Sequence, residues 1–193
     1  MSDYTNILKA FWQQIHPLKE EEEAIFLAAW KPVHFKRKEI ITQAGTIERY
    51  VYFVVEGIQH SYFLKDGKAH TTAFTYAPSF SGVVDSFMAQ RPAKVSLECL
   101  TDSILLRIPY YELQVLVQEH RGIETFFRKG TEGLLIGLME RHYELLALDI
   151  EERFKVFVQR SPHLLNMIPQ KHLASYLNIH PTNFSKLMGR IKI

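Results

Sequence analysis

Residues 168–193 read IPQKHLASYLNIHPTNFSKLMGRIKI, and their spacing predicts two short helices joined by a tight turn. Pro169 suits the first turn of a helix, where a missing N–H costs nothing, and Leu173, Ala174 and Leu177 then share one inner face. Asn178 follows, and asparagine readily takes the left-handed backbone that a tight turn needs. His180-Pro181 opens the second helix, with Phe184, Leu187 and Ile191 facing inward and Thr182, Asn183, Ser185, Lys186, Gly189 and Arg190 facing outward. Two helices packed closely through Ala174, with a polar and basic outer face on the second, are the parts of a helix-turn-helix. In that arrangement Gln170, Lys171, His180 and the amides that follow Pro181 hold phosphates of double-stranded DNA. Thr182, Asn183 and Lys186 then reach base edges, and Ser185 and Arg190 complete the face. Such helix pairs also occur as plain packing units, so the surrounding chain has to decide.

Charge is the first context. The net charge is +2, but residues 1–150 carry 16 basic against 19 acidic side chains, a net of −3, whereas residues 151–193 carry a net of +5 with no acidic residue after Glu152. A short basic end on a mildly acidic body favours a polyanion at that end and repels it elsewhere. A basic tail that only aids solubility gives the same count.

Upstream, the periodicity divides the chain where composition does not. Asn6–His16 and Lys19–Trp30 read as helices, the second with four glutamates from Glu20 near its positive N-terminal end; Pro17 and Pro32 stop them. From Val33 to Pro109 short β-prone runs alternate with turn residues: Glu39–Thr42, Tyr50–Glu56, Ile58–Lys65, Lys68–Tyr76, Lys94–Cys99 and Ser103–Ile108. Asp66-Gly67 is a two-residue hairpin signal, because both positions tolerate positive φ. Many short strands closely spaced imply an antiparallel sandwich or roll. Helix returns after Tyr110, and Ile123–Leu148 carries Phe127, Leu134, Leu138 and Leu145 on one stripe with Leu135, Met139, His142 and Leu146 beside it. Gly130, Gly133 and Gly137 lie on one face, which fits close approach of a neighbour or a soft segment. Few helices remain to cover so long a stripe, which makes a second copy of the chain a candidate partner.

This order resembles the Crp/Fnr (catabolite activator protein) superfamily of bacterial transcription regulators over nearly the full length. The matching stretches are YVYFVVEG at Tyr50–Gly57, Gly45, Gly82, CLTDSILLRI at Cys99–Ile108, EERFKVFVQRSPHLL, and LASYLNIHPTNFSKL at Leu173–Leu187. The resemblance implies an α+β architecture in three parts. Residues 1–122 would be a cyclic-nucleotide-binding-like antiparallel β-roll with flanking helices, 123–148 a long dimerisation helix, and 149–193 a helix-turn-helix, winged-helix-like DNA-binding domain. It implies a cytoplasmic homodimer with recognition helices about 34 Å apart, one turn of duplex. A small-molecule effector and RNA polymerase are further partners that it admits.

The departures bear on the effector. In cyclic-nucleotide-binding members a ribose-holding glutamate follows the glycine that aligns with Gly82, whereas Val83 stands here. The same members carry Pro-Arg-Ser/Thr to grip the cyclic phosphate, where this chain reads Pro92-Ala93-Lys94. A phosphate in a dry pocket without its guanidinium is poorly compensated, and lysine lacks the bidentate fit. Gly82, Val83, Ala93 and Lys94 are therefore expected to form a degenerate pocket that does not take cyclic AMP. In the recognition helix Thr182 and Lys186 replace the usual glutamate and arginine, and Asn178 the usual turn glycine, so the family's target sequence does not carry over.

Other chemistry has little support. The single cysteine, Cys99, excludes an internal disulfide, a four-cysteine zinc site and an iron–sulfur cage within one chain. The nine histidines contain no His-x-His pair and no metal-ligand trio, so no metal or other cofactor is expected; His60 and His70 on neighbouring strands are the nearest approach to a cupin-like site. There is no nucleophile elbow or phosphate-cradling loop, hence no catalytic residue to name. Tyr62, Phe63, Phe74, Tyr76 and Phe80 either line an apolar effector pocket or, as alternating aromatics usually do, form core. No apolar run approaches the ~20 residues of a membrane span, and the N-terminus has no secretion signal. The rival reading is a small-molecule-binding or metal-dependent β-roll, cupin-like, whose terminal helices only pack.

Overall fold

The computed structural model describes residues 3–190. Two helices, α1 (Asp3–Ile15) and α2 (Glu20–Ala29), lead into eight strands: β1 (Lys31–Phe35), β2 (Ile40–Thr42), β3 (Tyr50–Glu56), β4 (Ile58–Lys65), β5 (Lys68–Tyr76), β6 (Ser79–Ser81), β7 (Ser96–Cys99) and β8 (Ser103–Pro109). A short helix, α3 (Val84–Ala89), interrupts them after β6. The C-terminal part is helical: α4 (Tyr110–Glu119), α5 (Arg121–Ala147), α6 (Ile150–Arg160), α7 (Leu164–Met167), α8 (Gln170–Tyr176) and α9 (Pro181–Arg190). Ile191, expected to face the core, lies outside the described residues.

The strands form two four-stranded sheets, ordered β1-β8-β3-β6 and β2-β7-β4-β5. β3 explains the apolar run that identified it. Phe53 and Val55 point to one side, into a core with Leu8, Trp12, Phe26 and Phe126 of the helices, while Tyr52 and Val54 point to the other, with Leu105, Val33 and Phe35. A central strand covered on both faces reads as continuous hydrophobic sequence rather than an alternation. Pro32 stops α2 but lies inside β1, which pairs only with β8; an edge strand is where proline's missing donor is tolerated. β7 begins at Ser96 rather than Lys94, because the preceding residues bond instead to the loop after β2: Gly45 N–H donates to Ala93 O and Ala93 N–H to Thr46 O, both at 2.8 Å.

The chain divides into two compact units. Residues up to Ser61 together with Phe74–Gly133 make the first, and Tyr62–Ala73 together with residues from Leu134 onward make the second, the division falling inside α5. In the first unit an aromatic cluster fills the space between helices and sheet. Phe80 packs against Phe53, Phe126 and Phe127, so this member of the expected aromatic set is core. Glu22, from the glutamate run, accepts the Gly122 amide at the start of α5 at 2.7 Å. In the second unit Phe154, Phe157, Leu164, Leu173, Ala174, Leu177, Phe184 and Leu187 are buried. α6 opens with a reciprocal cap in which Asp149 Oδ1 accepts the amides of Glu151 and Glu152, each at 2.9 Å, and Glu152 Oε2 accepts that of Asp149. The tip of the β4–β5 hairpin belongs here too, held by Ser175, whose Oγ accepts from Thr71 N–H at 2.9 Å and donates to Ala69 O at 3.3 Å.

Candidate nucleic-acid interface and effector site

α8 and α9 are built as the sequence predicts. Ala174, almost fully buried, lets the two helices approach closely; Leu173, Leu177, Phe184 and Leu187 are buried, and α6 meets the pair through Phe154 against Phe184, edge to face at 5.5 Å, and Phe157 against Tyr176 at 5.9 Å. Asn178 takes φ 53°, and the turn closes through Asn178 N–H to Ser175 O and Ile179 N–H to Ala174 O. Arg153 holds this turn in place: its guanidinium reaches Asn178 O at 3.4 Å, Leu148 O at 3.1 Å and Leu145 O at 3.4 Å, satisfying carbonyls at the end of α5. A second tie joins α5 to α8, with the Arg141 guanidinium 4.2 Å over the Tyr176 ring and donating to Tyr176 O. Glu144 bridges Arg141 at 3.1 Å and Arg160 at 2.8 Å, from a buried position.

The expected contact residues have different local surroundings. Gln170, Lys171, Pro181, Thr182, Asn183, Ser185 and Lys186 are all exposed. His180 is exposed as well, and its Nδ1 accepts the Thr182 amide at 3.4 Å, so one ring nitrogen caps α9. Arg190 forms an ion pair with Glu151 at 2.8 Å. Beside Lys171 on the same helix, His172 is partly buried; burial, and then the charge of Lys171, hold its pKa below the ordinary imidazole value.

The expected effector residues separate. Val83 and Ala93 are buried together in a small apolar cluster with Leu97, whereas Lys94 is exposed. Gly82 has φ 134°, and a Cβ there would lie 3.9 Å from Glu48 Oε2. Glu48, which the sequence reading missed, is the polar centre of this region. Only 2% exposed, it accepts the Thr42 hydroxyl and the Val83 amide (3.3 Å) on Oε2 and the Tyr50 amide (3.2 Å) on Oε1. Its own amide donates to Ser86 Oγ at 3.0 Å. Burial outweighs these donors and raises the carboxyl above its ordinary pKa. Arg107 faces the same side of β8 as Leu105, lying 4.4 Å over the Tyr50 ring and donating to the Tyr52 hydroxyl. Tyr52 is pushed up, first by burial and then by the charge of Glu48.

His60 and His70 do not share a site. His60 is buried, 4.0 Å from Glu98 and stacked with Phe74, while His70 stacks on Phe63 at 5.0 Å. Cys99 is buried, and burial pushes its thiol up to about 11.

Residues 32–120 match the family described as the cyclic nucleotide-binding domain. That stretch is similar to such a domain over slightly less than half of the chain. Among solved structures the chain is similar to FixK2 from Bradyrhizobium japonicum, at 18% identity over 83% of each chain with a TM-score of 0.74. It is similar to the Thermus thermophilus catabolite activator protein, at 19% identity over 91% of this chain and 84% of that one with a TM-score of 0.58. It is also similar to CLP of Xanthomonas campestris, described as a c-di-GMP responsive global regulator, at 18% identity over 89% and 91% with a TM-score of 0.63. These likenesses establish a Crp/Fnr-type fold. No curated protein matches the chain by sequence. No helix among the described residues is long and apolar enough to cross a membrane.

Proposed function

We propose that this chain is a homodimeric, DNA-binding transcription regulator of Crp/Fnr type, acting in the cytoplasm and not as an enzyme, whose β-roll does not respond to cyclic AMP. The observation that carries the reading is the α8–turn–α9 unit. Its inner face is buried, with Phe184 and Tyr176 against rings of α6, while Thr182, Asn183, Ser185 and Lys186 are exposed on α9. A helix so presented fits the major groove, with Gln170 and Lys171 at the start of the preceding helix within the backbone-contacting set. Dimerisation is supported by α5, where Leu134, Leu135, Ile136, Leu138, Met139, Tyr143 and Leu146 are all exposed in the single chain. An apolar stripe of that length on a soluble helix calls for a partner, and residues 123–148 supply a self-complementary one. Indifference to cyclic AMP is supported by the buried, apolar Val83 and Ala93 and by the exposure of Lys94, which leave no buried cation for a cyclic phosphate among the four expected effector residues.

The test selects bound duplexes from a random pool and measures affinity for the recovered sequence against salt. Lys186→Ala should weaken binding and reduce the log–log salt slope by about one. Recovery of no enriched duplex, or an unchanged affinity and slope in the variant, overturns the assignment of α9 as the reading helix.

A further inference from the structure

The hydrogen bonds of Glu48 bring donors from separate parts of the chain onto one carboxyl. Thr42 Oγ1 comes from β2, the Tyr50 amide from the start of β3, and the Val83 amide from the loop after β6; the Arg49 amide also bonds to the carboxyl. Gly82, whose φ of 134° favours glycine, turns the chain so that the Val83 amide meets the carboxyl. Buried donors that converge on one point must be satisfied there, because an unmatched buried amide or hydroxyl is costly. In this chain a side chain satisfies them. The oxygens that meet these donors are tethered through Glu48 to the backbone between Gly45 and Tyr50.

We propose that Glu48 is the built-in occupant of an oxyanion site in the roll and excludes soluble oxyanions, phosphoryl groups foremost, from it. The residue thereby sets the ligand specificity of the domain: the donors a phosphate would need are present but already used. The tether gives the carboxyl a high effective concentration against any free competitor. This deepens the reading of a roll indifferent to cyclic AMP, and its test contains no DNA, so its failure is distinguishable from failure of the regulator assignment.

The experiment follows thermal unfolding of the full chain in matched concentrations of sodium chloride, sodium phosphate and sodium acetate, and with cyclic AMP. The wild type is compared with Glu48→Ala and Glu48→Gln, so that the general stabilisation by phosphate as a salt cancels. Glu48→Ala should show a saturable rise in midpoint with phosphate or acetate beyond that of the wild type, of roughly 4 °C at ten times an apparent Kd of about 1 mM. Glu48→Gln, which fills the same space, should show none. If Glu48→Ala has no unfolding transition in chloride, phosphate or acetate should restore one. The proposal fails if anions neither stabilise nor rescue Glu48→Ala, if Glu48→Gln responds equally, or if the wild type is itself saturably stabilised by phosphate or cyclic AMP.

Discussion

Glu48 and Lys186 stand in opposite environments. Glu48 is enclosed in the roll, with donors from three segments turned onto its carboxyl, whereas Lys186 projects from α9 into solvent beside other polar side chains. The same contrast runs through the two units. In the first, even the polar residues close on one another: Gln59 Nε2 donates to Ser103 Oγ at 2.9 Å, and the Thr75 hydroxyl donates to Gln59 Oε1 at 3.1 Å. In the second, α5 leaves Leu138 57% and Leu146 75% exposed, and α9 turns its polar face outward. A region whose buried polar side chains mostly bond to one another has less to gain from a partner. A region that leaves both kinds of surface open is where association lowers the free energy.

The sharpest way to break this contrast is to put a charge on the open stripe. Leu138→Glu should leave the folded single chain within about 0.5 kcal/mol of the parent, since the residue is exposed, yet weaken self-association by at least ~100-fold. Sedimentation equilibrium reads this directly, and an unchanged oligomeric state would remove α5 as the seam. Gly57→Ala probes the closed region instead. At φ 96° a Cβ there would lie 2.3 Å from Ser103 Oγ and 2.6 Å from Asp102 O, so the turn between β3 and β4 should lose about 3 kcal/mol or more in denaturant unfolding. Gly137→Ala is the counterpart on α5. Nothing lies within 4 Å of its Cβ position in the single chain, so helix propensity alone predicts a gain of about 0.5–1 kcal/mol in the isolated chain. A fall in dimer affinity in the same variant would show that the partner helix approaches there.

What the sequence made legible follows from how local its causes are. The α8–Asn178–α9 unit was readable because spacing, turn residue and Pro181 all act within a few residues, and β3 because a short run of aromatic and β-branched residues ending at a turn glycine suits a buried strand. Glu48 was not. In GTIERY it sits among polar residues after a turn glycine and has the appearance of a solvent-exposed loop; only the fold brings Thr42, Val83 and Ser86 around it. Short α3 and β6 were missed for the same reason, since neither is long enough to show a period. The pairing of Arg190 with Glu151, 39 residues earlier, is likewise a contact that local pattern does not encode. The hairpin signal at Asp66-Gly67 was visible, whereas the bond from Thr71 to Ser175 is a long-range contact that local pattern does not encode.

The smallest expected effect concerns pH and confines itself to the open unit. His172 has a depressed pKa because α8 partly buries it next to Lys171, so its proton is bound more tightly in the unfolded chain than in the folded one. The unfolded chain therefore gains protons as pH falls below the ordinary imidazole value of about 6.5, and this contribution to stability, fully present above that value, declines on the way down through the folded-state pKa. Replacing the imidazole by a neutral amide of similar size removes the linkage. His172→Gln should therefore lose less midpoint temperature than the wild type between about pH 8 and pH 5.5, with Glu48→Gln as a control of opposite sign. The Glu48 carboxyl is raised by burial, so its contribution is present at acidic pH and lost as pH rises through the folded value. Relative to Glu48→Gln, the wild type should gain stability on acidification. Parallel pH profiles for the wild type and both variants would mean that neither burial shifts protonation between the folded and unfolded chains.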